Sequence, residues 1–357
     1  MEVFPKMMPD NFTVSELYGF ATLNAFYTTY CLDSIITKET RQFMPGCNIS
    51  NIIVFSPWLV LNFSLLVGLL LSKIFRLTIG VYICAIVSGI GLTLVAMRPY
   101  SNLDVLYQFI SEIIIADLSL IGFMALTLFA GINLINFSSR GTPNFLIRKY
   151  FHILAFMTFL PGIIGAKYAR PRLMVFAFNC VQVFLMLLEF ARFKGFLPHN
   201  FSTWFKLMSD GREREPHTLI ATHIYLLMGC ALPLTMTYIL HTGSIIPPDW
   251  TLWSLSGIIF LGIGDTAASI GGKHYGQTKW REISKKTQEG SNFCVLGCFV
   301  TFYPLCLIVA PQEGYRYLCF LFAAIPSAVV EGCTMQYDNL LCSMFFFTCV
   351  VFFNTLF

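Results

Sequence analysis

The chain has 357 residues, of which 56% are hydrophobic and 12% are charged, whereas an ordinary soluble domain carries about 25% charged residues. Such a chain cannot cover its apolar surface with its own polar side chains, which excludes an ordinary soluble globular protein and favours an integral membrane protein. The net charge of +4 is spread over short loops without a long Lys/Arg tract, so the charge pattern does not indicate a nucleic acid partner.

Apolar runs long enough to cross a bilayer as helices, which takes about 20 residues, follow one another along the chain. The strongest are predicted over residues 51–72, 77–97, 113–135, 150–169, 172–191, 218–240, 251–271 and 291–311. Weaker candidates lie at 14–36, 315–333 and 339–357. The sequence therefore predicts an all-α, polytopic membrane bundle of about 9–11 transmembrane helices.

Basic residues in the loops predict the orientation of these helices, since cytoplasmic loops are enriched in Lys and Arg. Most of the positive charge lies in four loops, 73–76, 136–149, 192–217 and 272–290. The loop 241–250 contains no Lys or Arg, whereas Lys167, Arg170 and Arg172 break the alternation. We therefore expect the four basic loops to face the cytosol.

One acidic residue, Asp265, interrupts a strongly apolar run. An Asp near the bilayer centre costs about 2.5–3.5 kcal/mol on insertion scales, so Asp265 implies a partner or a function. Thr266 and Ser269 add hydroxyl groups beside it, and Ser269 follows Asp265 by one helical turn.

Glycines surround Asp265, and repeated glycine lets backbone approach a ligand closely and leaves N–H groups available for anions. They are Gly262, Gly264, Gly271, Gly272 and Gly276. The alternative interpretation is a face of small residues for helix packing. Packing accounts for the glycines but gives no reason for the acid.

A polar stretch, Lys285-Lys286-Thr287-Gln288-Glu289-Gly290, precedes the next predicted span. Lysines neutralise phosphate oxygens, carboxylates hold Mg²⁺, and a helix N-terminus adds positive partial charge. The stretch is therefore typical of a site for a polyphosphate and its divalent metal. The alternative is a positive anchor at the membrane surface, which explains the lysines but not Glu289-Gly290.

Other polar residues lie on either side of this region. Glu331 and Asp338 are seven residues apart, about two helical turns, so both carboxylates could share a face. Alternatively, Asp338 caps the last helix. Arg148 and His152 open an earlier span, where the histidine is either an interfacial cation or a packed side chain.

Together, these motifs resemble the CTP-binding region of the dolichol kinases. The resemblance is carried by residues 262–269 (Gly-Ile-Gly-Asp-Thr-Ala-Ala-Ser), 285–290, 148–152, 222–230 and by Glu331 followed by 336–341. It covers about residues 145–345, and residues 1–140 resemble the family only in being hydrophobic spans.

The resemblance implies transfer of the γ-phosphate of CTP to the terminal hydroxyl of dolichol, with Mg²⁺ or another divalent cation. The product would be dolichyl phosphate for protein glycosylation and GPI anchors, made at the cytosolic face of the endoplasmic reticulum membrane. The resemblance also divides the chain into an N-terminal transmembrane region, 1–140, and a kinase domain, 141–357, with its CTP-binding loop at 272–290. The expected partners are dolichol, CTP and membrane lipids, without nucleic acid; the oligomeric state stays open.

Under this resemblance, we expect four catalytic residues: Asp265, Lys285, Lys286 and Asp338. The lysines would bind CTP phosphates, and Asp265 would hold Mg²⁺ or accept the proton of the acceptor, with Glu289 and Asp338 completing the metal site. Further nucleotide-binding residues are expected at Gly264, Thr266, Ser269, Thr287, Glu289, Gly290, Arg148 and His152. The hypothesis requires Asp265 to meet the two lysines of the following loop.

Three other functions stay open at this point. Farnesol or phytol kinases share a Gly-Asp and a Lys-Ser/Thr arrangement, although Lys-Lys-Thr-x-Glu-Gly and Gln-x-Asp-Asn-Leu-Leu favour dolichol as the acceptor. A phosphatidate cytidylyltransferase would release pyrophosphate, but the sequence lacks the Asp-Arg-x-Asp signature of those enzymes. A transporter with an intramembrane Asp as its coupling site explains Asp265 but not the lysine-containing loop.

Overall fold

Helices make up nearly all of the chain that the computed structural model describes, which is residues 49–74, 79–97, 110–115, 117–138, 144–164, 170–198, 220, 222–241, 248–282, 285–311, 316–334 and 338–356. The helices are α1 (Ile49–Ile74), α2 (Ile79–Met97), α3 (Leu118–Ser138), α4 (Asn144–Ile164), α5 (Arg170–Phe193), α6 (Thr222–Leu240), α7 (Pro248–Ser254), α8 (Ser256–Ile259), α9 (Asp265–Tyr275), α10 (Gln288–Val309), α11 (Tyr317–Cys333) and α12 (Asp338–Leu356). Two π-helical segments, Ile110–Ile115 and Phe260–Gly264, complete the set.

Several of these helices are long and apolar enough to cross a membrane. Six meet both criteria within the described residues: Leu118–Ser138, Leu146–Ile164, Pro171–Phe193, Thr222–Leu240, Gln288–Val309 and Asn339–Leu356. Two apolar helices are shorter, Ile79–Thr93 and Tyr317–Cys333. The predicted all-α, multi-pass membrane architecture is confirmed. The predicted span 14–36 lies outside the described residues, and the total of about 9–11 crossings stays a prediction.

Large apolar side chains are exposed on the outer face of α3. Phe129 and Phe137 are 71% and 82% exposed, and Leu126 is exposed beside them. Soluble monomers rarely leave large apolar patches in water, whereas lipid tails are as apolar as these side chains. The outer face of α3 is therefore suited to the hydrocarbon of a bilayer.

The chain forms two compact units that do not follow the division predicted at residue 140. The first contains α1, α2, and most of α5. In its interior, Trp58 Nε1 donates to Asn179 Oδ1 at 3.1 Å, and Asn179 Nδ2 donates to the Val54 carbonyl at 3.0 Å. The second contains α3, α4, most of α6, and α7–α12. A functional boundary at residue 140 stays a prediction.

The second unit is organised around one continuous helical run, α8 through the π-helical segment Phe260–Gly264 into α9. Helices α4, α10 and α12 pack against this run. Glycine permits the close approach: a Cβ added to Gly262 would lie 2.7 Å from Phe156 Cβ on α4, which is shorter than real side-chain contacts. The π-helical segment ends immediately before Asp265, and such segments are frequent at functional sites.

Candidate active site

Asp265 lies buried in the second unit and is held by two side chains of α4. Lys149 Nζ donates a hydrogen bond to Asp265 Oδ2, and His152 Nδ1 lies 2.9 Å from the same oxygen. The exposed fractions of Lys149, His152 and Asp265 are 6%, 4% and 8%. Because a buried carboxylate without a partner is strongly destabilising, these contacts explain how an acid is tolerated inside an apolar helix run.

The spacing on α4 produces this arrangement. Lys149 and His152 are three residues apart and therefore project from one face of the helix, the face that packs against the π-helical segment. His152 Nδ1 also lies 3.1 Å from the Leu261 carbonyl. Both neighbours of Nδ1 are acceptors, so Nδ1 carries the hydrogen and the imidazole orientation is fixed by two contacts.

The next residue, Thr266, presents a hydroxyl group in the same buried region. It is 5% exposed, and its Oγ1 has no hydrogen-bond partner among the described residues. A buried hydroxyl without a partner costs about 1–3 kcal/mol. This oxygen is therefore suited to accept or donate a hydrogen bond to a ligand that reaches Asp265.

The loop between α9 and α10, residues 276–287, is hereafter called the α9–α10 loop, and its described parts, 276–282 and 285–287, pair with each other. Trp280 N donates to the Lys286 carbonyl at 3.2 Å, and Gln288 N donates to the Thr278 carbonyl at 2.8 Å. Thr287 caps α10 by accepting from Gly290 N at 3.2 Å. The two arms of the loop thus form a short antiparallel pair that ends at the first turn of α10.

Glu289 stabilises the first arm of this loop. Its carboxylate accepts hydrogen bonds from Gln277 N and Thr278 N, each at 3.1 Å. The predicted metal ligand Glu289 therefore already has structural partners, and the Thr278 side chain adds a further hydrogen bond to its carboxylate. Its role as a metal ligand stays a prediction.

The two adjacent lysines of the motif have different surroundings. Lys286 Nζ lies 2.6 Å from Glu331 Oε1 and donates to the Glu331 backbone carbonyl at 2.8 Å. Lys285 is exposed. Asp265 pairs with Lys149 and His152, whereas Lys286 pairs with Glu331 on α11. The expected meeting of Asp265 with these two lysines stays a prediction.

Two predicted ligand-approach glycines have packing roles. A Cβ on Gly264 would lie 2.7 Å from Cys298 Sγ, and one on Gly290 would lie 2.9 Å from the Ala268 carbonyl. Both glycines therefore let α10 approach the α8–α9 run, which agrees with the alternative of a small-residue packing face. Their approach to phosphate stays a prediction.

Three further predicted residues are Ser269, Arg148 and Asp338. Ser269 and Arg148 are half-buried on α9 and α4, and Arg148 lies next to the lysine that pairs with Asp265. Asp338 begins α12, but its side chain is outside the described set. Their roles in binding or catalysis stay predictions.

Sequence reasoning missed the role of Lys149 and did not connect Glu331 with Lys286. In the sequence, Lys149 is part of the basic loop 136–149 and of the stretch 148–152 that resembles the family, but neither pattern predicts a role for it. A signal was present, since a lysine three residues before His152 at the start of an apolar helix shares its face. The Lys286–Glu331 contact spans 45 positions and has no local signature.

A divalent metal is implied by the predicted phosphoryl transfer, and the donor set can be judged in part. No group of three His, Cys, Asp or Glu residues that could hold a metal is found among the described side chains. Mg²⁺ in nucleotide sites is usually held by one or two carboxylates, with phosphates and waters supplying the rest. The carboxylate of Asp265 fits that requirement. Lys149 and His152 both contact its Oδ2, so its other oxygen, Oδ1, is the one that could bind a metal.

Comparisons with known proteins converge on one family. The family model described as dolichol kinase matches residues 45–291, which extends the similarity toward the N-terminus beyond the motifs in 145–345. The dolichol kinase of Homo sapiens is 34% identical over 206 residues, 56% of this chain and 36% of the relative. Dolichol kinase EVAN of Arabidopsis thaliana is 31% identical over 219 residues, 59% of this chain and 36% of the relative.

A fungal relative agrees with these two. The dolichol kinase of Saccharomyces cerevisiae is 29% identical over 211 residues, 57% of this chain and 36% of the relative. The matched part thus spans about a third of the length of each curated relative, 36% in all three. No solved structure matches the chain.

Proposed function

This chain belongs to the dolichol kinase family, and from that premise we propose that it transfers the γ-phosphate of CTP to the terminal hydroxyl of dolichol. The observation that carries the proposal is Asp265, a buried carboxylate oriented by Lys149 and His152 inside a membrane helix bundle. Nothing about crossing a membrane requires such a group. It lies one helix, α9, before a loop rich in exposed cations.

The proposed roles follow from what phosphoryl transfer needs, which is positioning and neutralisation of charge. Asp265 accepts the proton of the acceptor hydroxyl or holds the metal that accompanies CTP. Lys149 and His152 fix the orientation of its carboxylate. Asp265 would hold the Mg²⁺, which when bound would supply positive charge that neutralises the nucleotide phosphates.

The α9–α10 loop is the proposed contact for the nucleotide. Lys279, Arg281 and Lys285 are exposed on it, and cations of this kind attract polyphosphates. Thr266, whose Oγ1 has no partner in the described part of the chain, is proposed to bond the acceptor hydroxyl or a phosphate oxygen. Asp338 and Glu289 stay candidates for completing the metal site.

The location follows from the two substrates. Dolichol is a long isoprenoid that stays in the membrane, whereas CTP is dissolved in the cytosol, so the site must lie at the cytosolic interface. The excess of Lys and Arg in the loop 272–290 supports this orientation. We assign the protein to the endoplasmic reticulum membrane, where dolichyl phosphate would serve protein glycosylation and GPI anchor synthesis.

The proposal is tested with the full chain purified in lipid nanodiscs. The protein is incubated with γ-labelled CTP, Mg²⁺ and dolichol, farnesol or phytol, and the lipids are separated by thin-layer chromatography. We expect label on dolichol, and no label in any lipid when α-labelled CTP is used. Preferential labelling of farnesol or phytol would replace dolichol by a short prenol. In nanodiscs that also contain phosphatidate, α-label in that lipid would indicate a cytidylyltransferase instead.

A further inference from the structure

Besides its own hydrogen bonds, the α9–α10 loop is attached to α11 by a contact between Lys286 and Glu331. The Lys286 ammonium contacts both the carboxylate and the backbone carbonyl of Glu331, at 2.6 Å and 2.8 Å. Glu331 is 6% exposed and lies in the last turn of α11, where a cation is favourable. Its carbonyl also accepts a hydrogen bond from Thr334 N at 3.3 Å, so Lys286 is a second donor to that carbonyl and the cation of the buried carboxylate.

The other arm of the loop is attached to the same place. Trp280 Nε1 donates to Ser291 Oγ at 2.9 Å, and Ser291 Oγ donates to the Ala328 carbonyl at 3.1 Å. The indole also packs on Gly332, where an added Cβ would lie 2.8 Å from Trp280 Cε2. Both arms are thus joined to the C-terminal end of α11, one by an ion pair and one by a tryptophan.

These contacts give the two neighbouring lysines unequal freedom to bind a ligand. Moving Lys286 to a phosphate would leave the buried Glu331 carboxylate without its cation, and breaking a buried pair in this way is costly. Lys285 is exposed and can turn to a ligand without breaking that pair. The difference is not visible in the sequence, where the two residues are adjacent and chemically identical.

We propose that Lys286 and Glu331 form an anchor that positions the α9–α10 loop, and that Lys285 is the lysine of the motif that neutralises the nucleotide phosphates. The second half of this inference rests on the proposed function, because it names the part of the loop that meets CTP. Glu331, Trp280 and Gly332 are then positioning residues. They act on the nucleotide through the loop and do not touch it.

Chymotrypsin cleavage after Trp280 measures the anchor without any substrate, since the protease reaches that bond only when the loop is released from α11. The lysine substitutions leave the cleavage site unchanged. In nanodiscs, Lys286→Met and Glu331→Gln should raise the cleavage rate about tenfold, as expected for loss of a coupled pair. The matched controls are Lys285→Met, the neighbouring lysine, and Glu282→Gln, an exposed carboxylate of the same loop; both should be cleaved at the wild-type rate.

Two further variants keep the test decisive if a single charge change unfolds the protein. Gly332→Ala displaces Trp280 without touching either charge and should also raise cleavage. The exchange Lys286→Glu with Glu331→Lys should restore protection relative to either single change, because the ion pair is re-formed in reverse. Cleavage of Lys286→Met at the wild-type rate, or an exchange variant no better protected than the singles, would overturn the anchor.

Binding of a fluorescent CTP analogue tests the assignment of the lysines. Lys285→Met should weaken binding about tenfold or more, as expected for loss of a charge-assisted contact, with the loop still protected. Unchanged binding in this variant would overturn the assignment. If the wild-type protein binds no CTP while its cleavage pattern is as expected, the proposed function and the role of Lys285 fail together, and the anchor stands.

Discussion

Lys149 and Asp265, separated by 116 positions in the sequence, form a buried ion pair that joins α4 to the start of α9. Removing either partner destabilises the folded protein, because it leaves the other charge buried with less compensation. The pair also places a carboxylate of fixed orientation in an otherwise apolar helix run. Substitutions can test separately what this ion pair contributes to stability and to phosphoryl transfer.

Replacing Lys149 by Met should destabilise the protein and reduce phosphoryl transfer. The change leaves Asp265 with only His152 as a partner, and breaking a buried pair typically costs about 3–5 kcal/mol. Thermal unfolding in detergent, followed by loss of helical signal, measures the first effect, and label transfer to dolichol measures the second. Lys273→Met on the exposed end of α9 is the matched control. A Lys149→Met protein as stable and active as the control would show that the pair has no role.

His152 should act through its Nδ1 position, which contacts Asp265 and the Leu261 carbonyl. The amide nitrogen of Asn reaches the position of Nδ1, whereas that of Gln reaches the position of Nε2. We therefore expect His152→Asn to keep more label transfer than His152→Gln, by about tenfold if one buried hydrogen bond to a charged group is at stake. The reverse order would assign the function to Nε2 and not to the contact with Asp265.

The glycine next to Asp265 should be required for packing. Gly264→Ala would place a methyl group 2.7 Å from Cys298 Sγ, and overpacking of this kind costs about 1–3 kcal/mol. Adding Cys298→Ala removes the sulfur and should restore both thermal stability and label transfer. Gly91→Ala, where an added Cβ meets nothing within 4 Å, is the control. If stability returns in the double variant but activity does not, Gly264 has a ligand role as the sequence predicted.

Glu289 should contribute mainly by holding the first arm of the α9–α10 loop. Glu289→Gln keeps one acceptor for Gln277 N and Thr278 N, so we expect the half-saturating Mg²⁺ concentration to stay within about threefold of the wild-type value, a change below 1 kcal/mol. A titration of label transfer against Mg²⁺ measures this. A much larger increase in the Mg²⁺ requirement would make Glu289 a metal ligand, as its sequence position predicted.

The helices were predictable because their signal is local. Apolar runs of about 20 residues imply membrane helices whatever their neighbours are, and the described helices from α1 to α12 lie where those runs are. The π-helical turn at Phe260–Gly264 was not predicted, since it depends on how the run packs and not on a residue pattern. The two compact units were missed for a related reason: each is made of segments that are distant in the sequence.

The site was predicted in its central residue but not in its pairing. An acid in an apolar run stands out in any sequence, so Asp265 was found. Its cation, Lys149, was assigned to a basic loop because nothing local distinguishes a lysine that turns inward from one that faces the cytosol. The sequence predicts the same phosphate-binding role for Lys285 and Lys286, because the contact of Lys286 with Glu331 depends on the packing of α11 beside α10, which no motif reports.

The central claim is that the carboxylate of Asp265 is needed for phosphoryl transfer from CTP to a membrane alcohol. Asp265→Asn keeps the size and shape of the side chain and removes its charge, so the purified variant and the wild-type chain can be compared for transfer of γ-label to dolichol in the same nanodiscs. Resistance to alkaline carbonate extraction confirms membrane insertion, thermal unfolding in detergent confirms that the variant is folded at the assay temperature, and Glu282→Gln serves as the control. We predict a loss of at least about 100-fold, the lower range for a general base; turnover near the wild-type rate in a correctly inserted Asp265→Asn protein would contradict the account.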